Sequence, residues 1–329
     1  MADLTTTYLG LSLHNPIIVG SSGLTNNIES IKKIAKNKAG AIVLKSIFEE
    51  QITMEANKAV ENDASLSTYP EAADYISNYT KQENVGQYLK LIEDAKKAVH
   101  IPVIASVNCV SSTEWTSFAK KIEAAGADAL ELNAFVLPSD EKNDSEKNEK
   151  FYFDLTEKVR KEISIPIALK MSYYSAGLAQ LIQKLSWSGN INGLVLFNRF
   201  FSPDIDIDKM QVVANNIFST PEEISTSLRW IALMSPKIKT DLSASTGIHS
   251  GEGIIKQILA GAKTVQLATA VYQNGPEIIP DMLKELEKWM DDNKYAKLDD
   301  FRGKMNQENT ANPAAYERIQ FMKYFAGIE

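Results

Sequence analysis

Short apolar runs of Val, Ile and Leu recur along the chain and alternate with longer segments whose apolar residues fall at helical spacing. The runs PIIVGSS (16–22), AIVLKS (41–46), PVIASVN (102–108), ALELNAF (129–135), PIALKMS (166–172), GLVLFN (193–198), TDLSAS (240–245) and TVQLATA (264–270) are apolar on both faces. Parallel strands covered on both sides have this appearance. Between them, stretches such as NIESIKKIAKN, VGQYLKLIEDAKKAV, STEWTSFAKKIEAAG and GEGIIKQILAG predict helices, several ending at a Gly or just before a Pro. About eight β-α units predict one α/β domain over 1–329, a closed (β/α)8 TIM barrel. An open doubly wound sheet would show a Gly-rich fingerprint after its first strand, where this chain has SSGLTNN. TTTYLGLSLHN predicts an N-terminal β-hairpin at the bottom of the barrel. The charged segment 138–150, PSDEKNDSEKNEK, reads as a solvated loop, and its place on the catalytic face of a barrel leaves a lid as the alternative. The tail over about 295–329 reads as a C-terminal helical extension packed on the outside.

Composition narrows the function classes. The 329 residues are 44% hydrophobic with a formal net charge of −7, and no long basic stripe speaks for nucleic acid. No apolar run approaches the roughly 18 residues of a membrane helix. The start, MADLTTTYLGLSLHNP, has neither the basic nor the apolar region of a signal peptide. A single cysteine, Cys109, rules out an internal disulfide and fits a reducing, cytoplasmic setting. His14, His100 and His249 lack the spacing of a metal site, so no metal is expected.

Candidate chemistry lies at the C-terminal ends of the strands, which converge on one pocket in such a barrel. They read Ser21-Ser22, Lys45-Ser46, Asn108-Cys109, Asn133, Lys170-Met171-Ser172, Asn198-Arg199, Ser243 to Gly247, and Ala268-Thr269. Two lysines directly after apolar strands, with no acidic neighbour in sequence, are costly at a barrel mouth unless an anion or polar ligand is there. The stretch 245–270, STGIHSGEGIIKQILAGAKTVQLATA, joins Gly247 to a helix start whose free N–H groups suit a phosphate. Ala268-Thr269 closes the other side.

These motifs resemble the dihydroorotate dehydrogenase family of FMN-containing barrels. The carriers are YLGLSLHNPIIVGSSG, GAIVLKS, ELN, ALKM, LFN, STGIHSGEG with LAGAKTVQLATA, and GPEIIPDMLKELEKWM, in order from about Tyr8 to Gly303. The resemblance implies a cytoplasmic homodimeric flavoprotein of pyrimidine biosynthesis, moving a hydride between flavin N5 and a small carboxylate or pyrimidine-like substrate, dihydroorotate to orotate in the family. It places Ser21 and Ser22 beside the isoalloxazine ring, and Lys45, Ser46 and Asn133 near flavin and substrate. Lys170 falls at the flavin N1–O2 edge, where a fixed cation stabilises reduced flavin. Asn108 ends strand three on the same face. Thr246, Gly247, Ala268 and Thr269 form the phosphate cradle; Asn78 and Asn198 reach substrate.

The chain departs from the family at the catalytic base. Where the family has Asn-Leu-Ser-Cys-Pro-Asn, this chain has Asn133-Ala134-Phe135-Val136-Leu137-Pro138, so the base position is Val136 or Leu137. Neither accepts a proton; Cys109, Tyr173 and Tyr174 are candidate replacements. The substrate loop runs from Asn78 to Asn84 with a different middle. Arg199 stands where the family has a small hydroxyl residue and could hold a carboxylate bidentately, or pair with Asp204 or Asp206. Two other readings stay open on the residues alone: a Schiff-base lyase or aldolase using Lys45 or Lys170, and a non-catalytic FMN- or metabolite-binding barrel.

Overall fold

The structure, a computed structural model, describes residues 2–48, 70–108, 115–134, 136–200 and 202–317, without the side chains of 70–83 and 115–117. Each apolar run contains a strand: β3 (Ile17–Val19), β4 (Ala41–Val43), β6 (Val103–Asn108), β7 (Ala129–Asn133), β8 (Ile167–Met171), β9 (Gly193–Leu196), β12 (Asp241–Ser245) and β13 (Thr264–Leu267). All pair in parallel, and β4 with β6 closes the ring. A two-residue strand, β5 (Ile47–Phe48), extends the line of β4 along the end of β6. The strands are short because a strand tilted around a small barrel is buried for only a few residues; their flanks form the loops.

Helices cover the outside: α1 (Ile28–Lys36), α2 (Pro70–Ala98), α3 (Trp115–Ala124), α4 (Ser145–Glu162), α5 (Leu178–Trp187), α6 (Ile224–Met234), α7 (Gly251–Ala260), the short α8 (Thr269–Asn274) and α9 (Ile278–Asp292). Their apolar stripes pack on the outward-facing strand residues, as in Ile31 and Ile34 of α1 against Ile17 and Ile42. The Asn27 side chain caps α1 by accepting from Ser30 N–H at 2.9 Å, and Lys33 and Lys36 occupy its last turn.

The inward residues form a separate core. Ile18, Ala41, Val43, Ile104, Ala129, Ala168 and Val195 fill the lower barrel with Tyr8, Leu9 and Leu13. Those three belong to the antiparallel hairpin β1 (Thr6–Tyr8) and β2 (Leu11–Leu13), the bottom plug expected from the sequence. Its turn puts Leu9 at φ 56° and Gly10 at φ 77°, the two left-handed residues of a tight hairpin. Leu9 N–H donates to Asp241 Oδ2 at 2.8 Å and ties the plug to the start of β12. Tyr8 is fully buried, and Leu9 and Leu13, each 2% exposed, contribute about 1.5–3 kcal/mol apiece of apolar burial.

Three segments differ from the sequence reading. Asp144 accepts from Lys147 N–H at 2.8 Å and caps α4, so the last part of the 138–150 loop is helix and the loop proper ends at Asp144. The tail is no α-helix over 295–317: it runs as turns with short 3-10 helices at Leu298–Asp300 and Pro313–Tyr316, anchored by Phe301 against Trp289 and Tyr295. Residues 318–329 lie outside the described residues. After β9 comes a hairpin the periodicity did not reveal, β10 (Ser202–Asp206) paired with β11 (Gln211–Asn215).

Candidate active site

The C-terminal ends of the barrel strands open into two adjoining clefts. The inner one, about 150 Å³, is lined by Gly20, Ser21, Lys170, Gln266, Gly247 and Thr269 among others. The outer one, about 380 Å³, is walled by Tyr173, Tyr174, Phe197, Phe200 and Glu223. Asn198, Arg199, Ser245 and Thr246 face both.

Lys170, 8% exposed, does have an acidic neighbour, which corrects the sequence-based argument. Its Nζ donates to Gln266 Oε1 at 3.1 Å, and Gln266 Nε2 donates to Glu131 Oε2 at 2.6 Å. Glu131 Oε1 lies 4.0 Å from Lys170 Nζ and has no hydrogen-bond partner among the described residues. The alternation of β7 explains the miss: Glu131 and Asn133 are two residues apart in ALELN and share the inner face, but only the barrel's closure brings β13 and its Gln266 beside them.

Asn133 sits opposite Lys170 in the β7–β8 register. It is 8% exposed, and its Oδ1 is buried without a partner among the described residues. An unpaired buried amide oxygen is costly, so this atom calls for a donor from a ligand or water. Asn108 is buried at the end of β6, in register with Asn133. Ser21, Ser46 and Ser106 form a hydroxyl chain leading down from the inner cleft, with oxygens 2.9 and 2.7 Å apart. The hydroxyl of Tyr88 fixes its lower end, donating to Ser106 O and accepting from Ser106 N–H. Burial first, then the Glu131 charge, holds that phenol well above its ordinary range. Ser22 turns its hydroxyl back onto Gly20 O. Lys45 is half-buried at the mouth, and only its backbone N–H, on Thr25 O, is engaged among the described residues.

The cradle at the ends of β12 and β13 is built from backbone. Thr246 and Gly247 both have φ 77°, which turns the chain sharply out of β12. The N–H groups of Gly247, Ile248, Ala268 and Thr269 find no acceptor among the described residues, and Gly247 and Ile248 are buried. Such a set of converging donors suits an anion. At the start of α7, Gly251 N–H donates to Glu285 and Gly253 N–H to the capping Ser250, so those two donors are already engaged. Ser219 and His249 join the cradle unannounced by sequence, with Ser219 Oγ 3.2 Å from His249 Nε2 and 3.1 Å from Thr269 Oγ1.

Arg199 is committed to the protein. Its Nε donates to Glu223 at 2.9 Å, and its terminal nitrogens donate to the carbonyls of Asn216, Ile217 and Phe218. It holds the 216–218 loop and pairs with neither Asp204 nor Asp206, and no fork is left free for a substrate carboxylate. Tyr173 is pushed up to about 12, chiefly by its hydrogen bond to Tyr174, then by burial, so it is no base near neutral pH. Of the two candidate base positions, Leu137 is 52% exposed and Val136 is closed in. Val136 packs against the core, its N–H donates to the Tyr152 hydroxyl and its carbonyl accepts from Ser172. Cys109 lies outside the described residues. Asn78 falls within α2, where a substrate loop was expected, and its side chain lies outside the described residues. Among the described residues no cluster of metal-ligating side chains is present, and no helix is long and apolar enough to cross a membrane.

Fold and site together define a (β/α)8 barrel whose cleft presents unpaired backbone N–H groups at strands seven and eight and the polar side chains of Lys170 and Asn133 beside them. The unpaired cradle N–H groups and the orphaned Asn133 Oδ1 fit FMN, a phosphate joined to a hydrogen-bonding ring. The dihydroorotate dehydrogenase family model matches residues 3–290, and the chain belongs to that family. It is 25% identical to the catalytic subunit of dihydroorotate dehydrogenase B (NAD(+)) of Thermoplasma volcanium over 320 residues, 92% of this chain and 98% of the relative. It is 25% identical to dihydroorotate dehydrogenase A (fumarate) of Lactococcus lactis, covering 92% and 99% of the two chains. With the NAD-dependent dihydropyrimidine dehydrogenase subunit PreA of Escherichia coli it shares 24% identity, over 92% of this chain and 77% of that one. The protein is an FMN-dependent oxidoreductase of the dihydroorotate dehydrogenase type, acting on CH–CH bonds.

Proposed function

We propose that the protein oxidises or reduces a small planar substrate with pyrimidine-like or carboxylate groups, bound over Asn133 and Lys45, and that dihydroorotate is a poor substrate. The observation that carries this reading is Asn133 Oδ1, buried beside Lys170 and without a partner among the described residues. When bound, FMN supplies the two-electron acceptor for a hydride. In this reading the N–H groups of Gly247, Ile248, Ala268 and Thr269 hold the phosphate, at the turn made by Thr246. Ser21, Ser46 and Asn108 line the ring. Lys170 places a fixed cation where negative charge develops, and Asn198 orients the substrate from the cleft wall.

A positioned base contributes roughly 10²–10⁴-fold in rate, and Val136 provides none. The test is anaerobic mixing of the yellow protein with dihydroorotate and with a dihydropyrimidine lacking the carboxylate, following flavin bleaching. Slow bleaching by dihydroorotate supports the reading, and faster bleaching by the second compound assigns the substrate to the pyrimidine-like class. Dihydroorotate bleaching within a single turnover time of seconds overturns the substrate assignment. Bound FMN that no such compound bleaches favours the non-catalytic barrel.

We also propose a cytoplasmic homodimer. The support is the β10–β11 hairpin: Pro203, Ile205, Ile207, Met210, Val212 and Ala214 share one face by strand alternation, with Ile205 65%, Ile207 82%, Met210 87% and Val212 71% exposed. A bare apolar ribbon of this kind suits a second, symmetry-related copy. Ile205→Asp with Val212→Asp is expected to halve the mass seen by light scattering; an unchanged mass refutes the interface.

A further inference from the structure

We propose that Glu131 is the counter-charge of Lys170 and sets how strongly the site favours reduced flavin, with Gln266 as the bridge that positions both. The inference rests on the FMN reading above. Glu131 is 1% exposed, and an acidic side chain so deeply buried is costly without a compensating partner. The compensating group is Lys170, at 4.0 Å directly and through Gln266, whose amide oxygen faces the ammonium and whose amide N–H faces the carboxylate. Those two partners allow one orientation of the amide. The lysine is thereby held toward the cleft floor, and part of its field is cancelled from below. Glu131 touches no cleft itself, so it is a positioning residue acting through Lys170. Its Oε1 keeps an unfilled acceptor position inside the barrel.

The arrangement makes opposite predictions for its two charges. Removing the carboxylate leaves Lys170 uncompensated and favours the electron-rich flavin. Removing the ammonium does the reverse and strands a buried carboxylate. Removing both returns the site to net neutrality.

The experiment is a redox titration of FMN on the wild type, Glu131→Gln, Lys170→Met and the double variant, with thermal melts of each. Glu131→Gln is expected to shift the oxidised–reduced equilibrium about tenfold or more toward reduced flavin, about +30 mV for a two-electron couple. Lys170→Met is expected to shift it the other way, and the double variant to fall between them and to melt above Lys170→Met. A merely structural role for Glu131 would leave the potential unmoved while FMN stays bound, and that result overturns the proposal. If Glu131→Gln does not fold, the double variant decides: recovery of folding supports the pair, and no recovery overturns it. A wild type that takes up no FMN overturns the FMN reading, and the melts then test the charge pair by themselves.

Discussion

Gly247→Ala and Thr246→Gly test whether the cradle is a backbone device. Both residues sit at φ 77°, yet the two substitutions should act in opposite senses. An alanine Cβ at 247 would lie 2.1 Å from Ile224 N and 2.7 Å from Ile224 Cα, both backbone atoms at the start of α6. No rotamer change relieves that contact. The left-handed conformation costs an L-residue about 1–2 kcal/mol, and overpacking adds about 1–3 kcal/mol. The loss expected for Gly247→Ala is therefore about 2–5 kcal/mol. Thr246 already carries the conformational cost, and its hydroxyl gains only a 3.5 Å contact to Phe197 O. Glycine there recovers the strain and gives back about 0.5–1 kcal/mol of chain entropy, leaving a change of about 0–1.5 kcal/mol in favour of the variant. Urea unfolding with and without FMN measures both. Ligand binding adds stability as RT ln(1 + [L]/Kd), so the FMN-dependent increment should shrink in Gly247→Ala and persist in Thr246→Gly. Equal stability changes in the two variants, or an undiminished FMN increment in Gly247→Ala, would refute the reasoning.

Further outcomes follow from other contacts. Burial raises the Asp241 carboxyl above its ordinary value, against the smaller opposing pulls of its bond from Leu9 N–H and of Lys263 and Arg302. Its ionised form is thus disfavoured in the folded protein, and its share of stability falls as pH rises from below 3.8 through the raised value. Asp241→Asn keeps an acceptor for Leu9 and should be more stable than wild type at neutral pH, the gain vanishing in acid; melts from pH 3 to 7 check it. Arg199→Lys loses the fork that gathers three carbonyls, so amide exchange should quicken at 216–218 while β12 stays protected; unchanged exchange would remove its role as loop holder. Val136→Cys should leave dihydroorotate oxidation unchanged with FMN bound, because that side chain packs on the core; a tenfold gain would show that the loop presents residue 136 to the cleft.

Much of this was legible in the chain. Strands buried on both faces leave a two-sided apolar run, so β3, β4, β6 and the rest could be found from composition and length. Strand ends in such a barrel must point at one mouth, so Ser21, Asn133, Lys170 and Asn198 could be nominated before any contact was known. The β10–β11 hairpin was not legible, because its apolar face is uncovered and its polar face carries Asp204 and Asp206, which read as loop.

What the sequence determined by itself is local periodicity and the one inherited pattern of strand-end residues; both depend only on spacing along the chain. What tertiary structure alone decided is which polar groups are spent. Glu131 and Gln266 are 135 residues apart and meet only because the ring closes. Arg199 is consumed by a loop that folds back over it, and the α7 start is consumed by Glu285 of a later helix. A hydrogen-bonding group is available to a ligand only when no partner from elsewhere in the chain has claimed it, and those partners arrive from distances that no periodicity encodes.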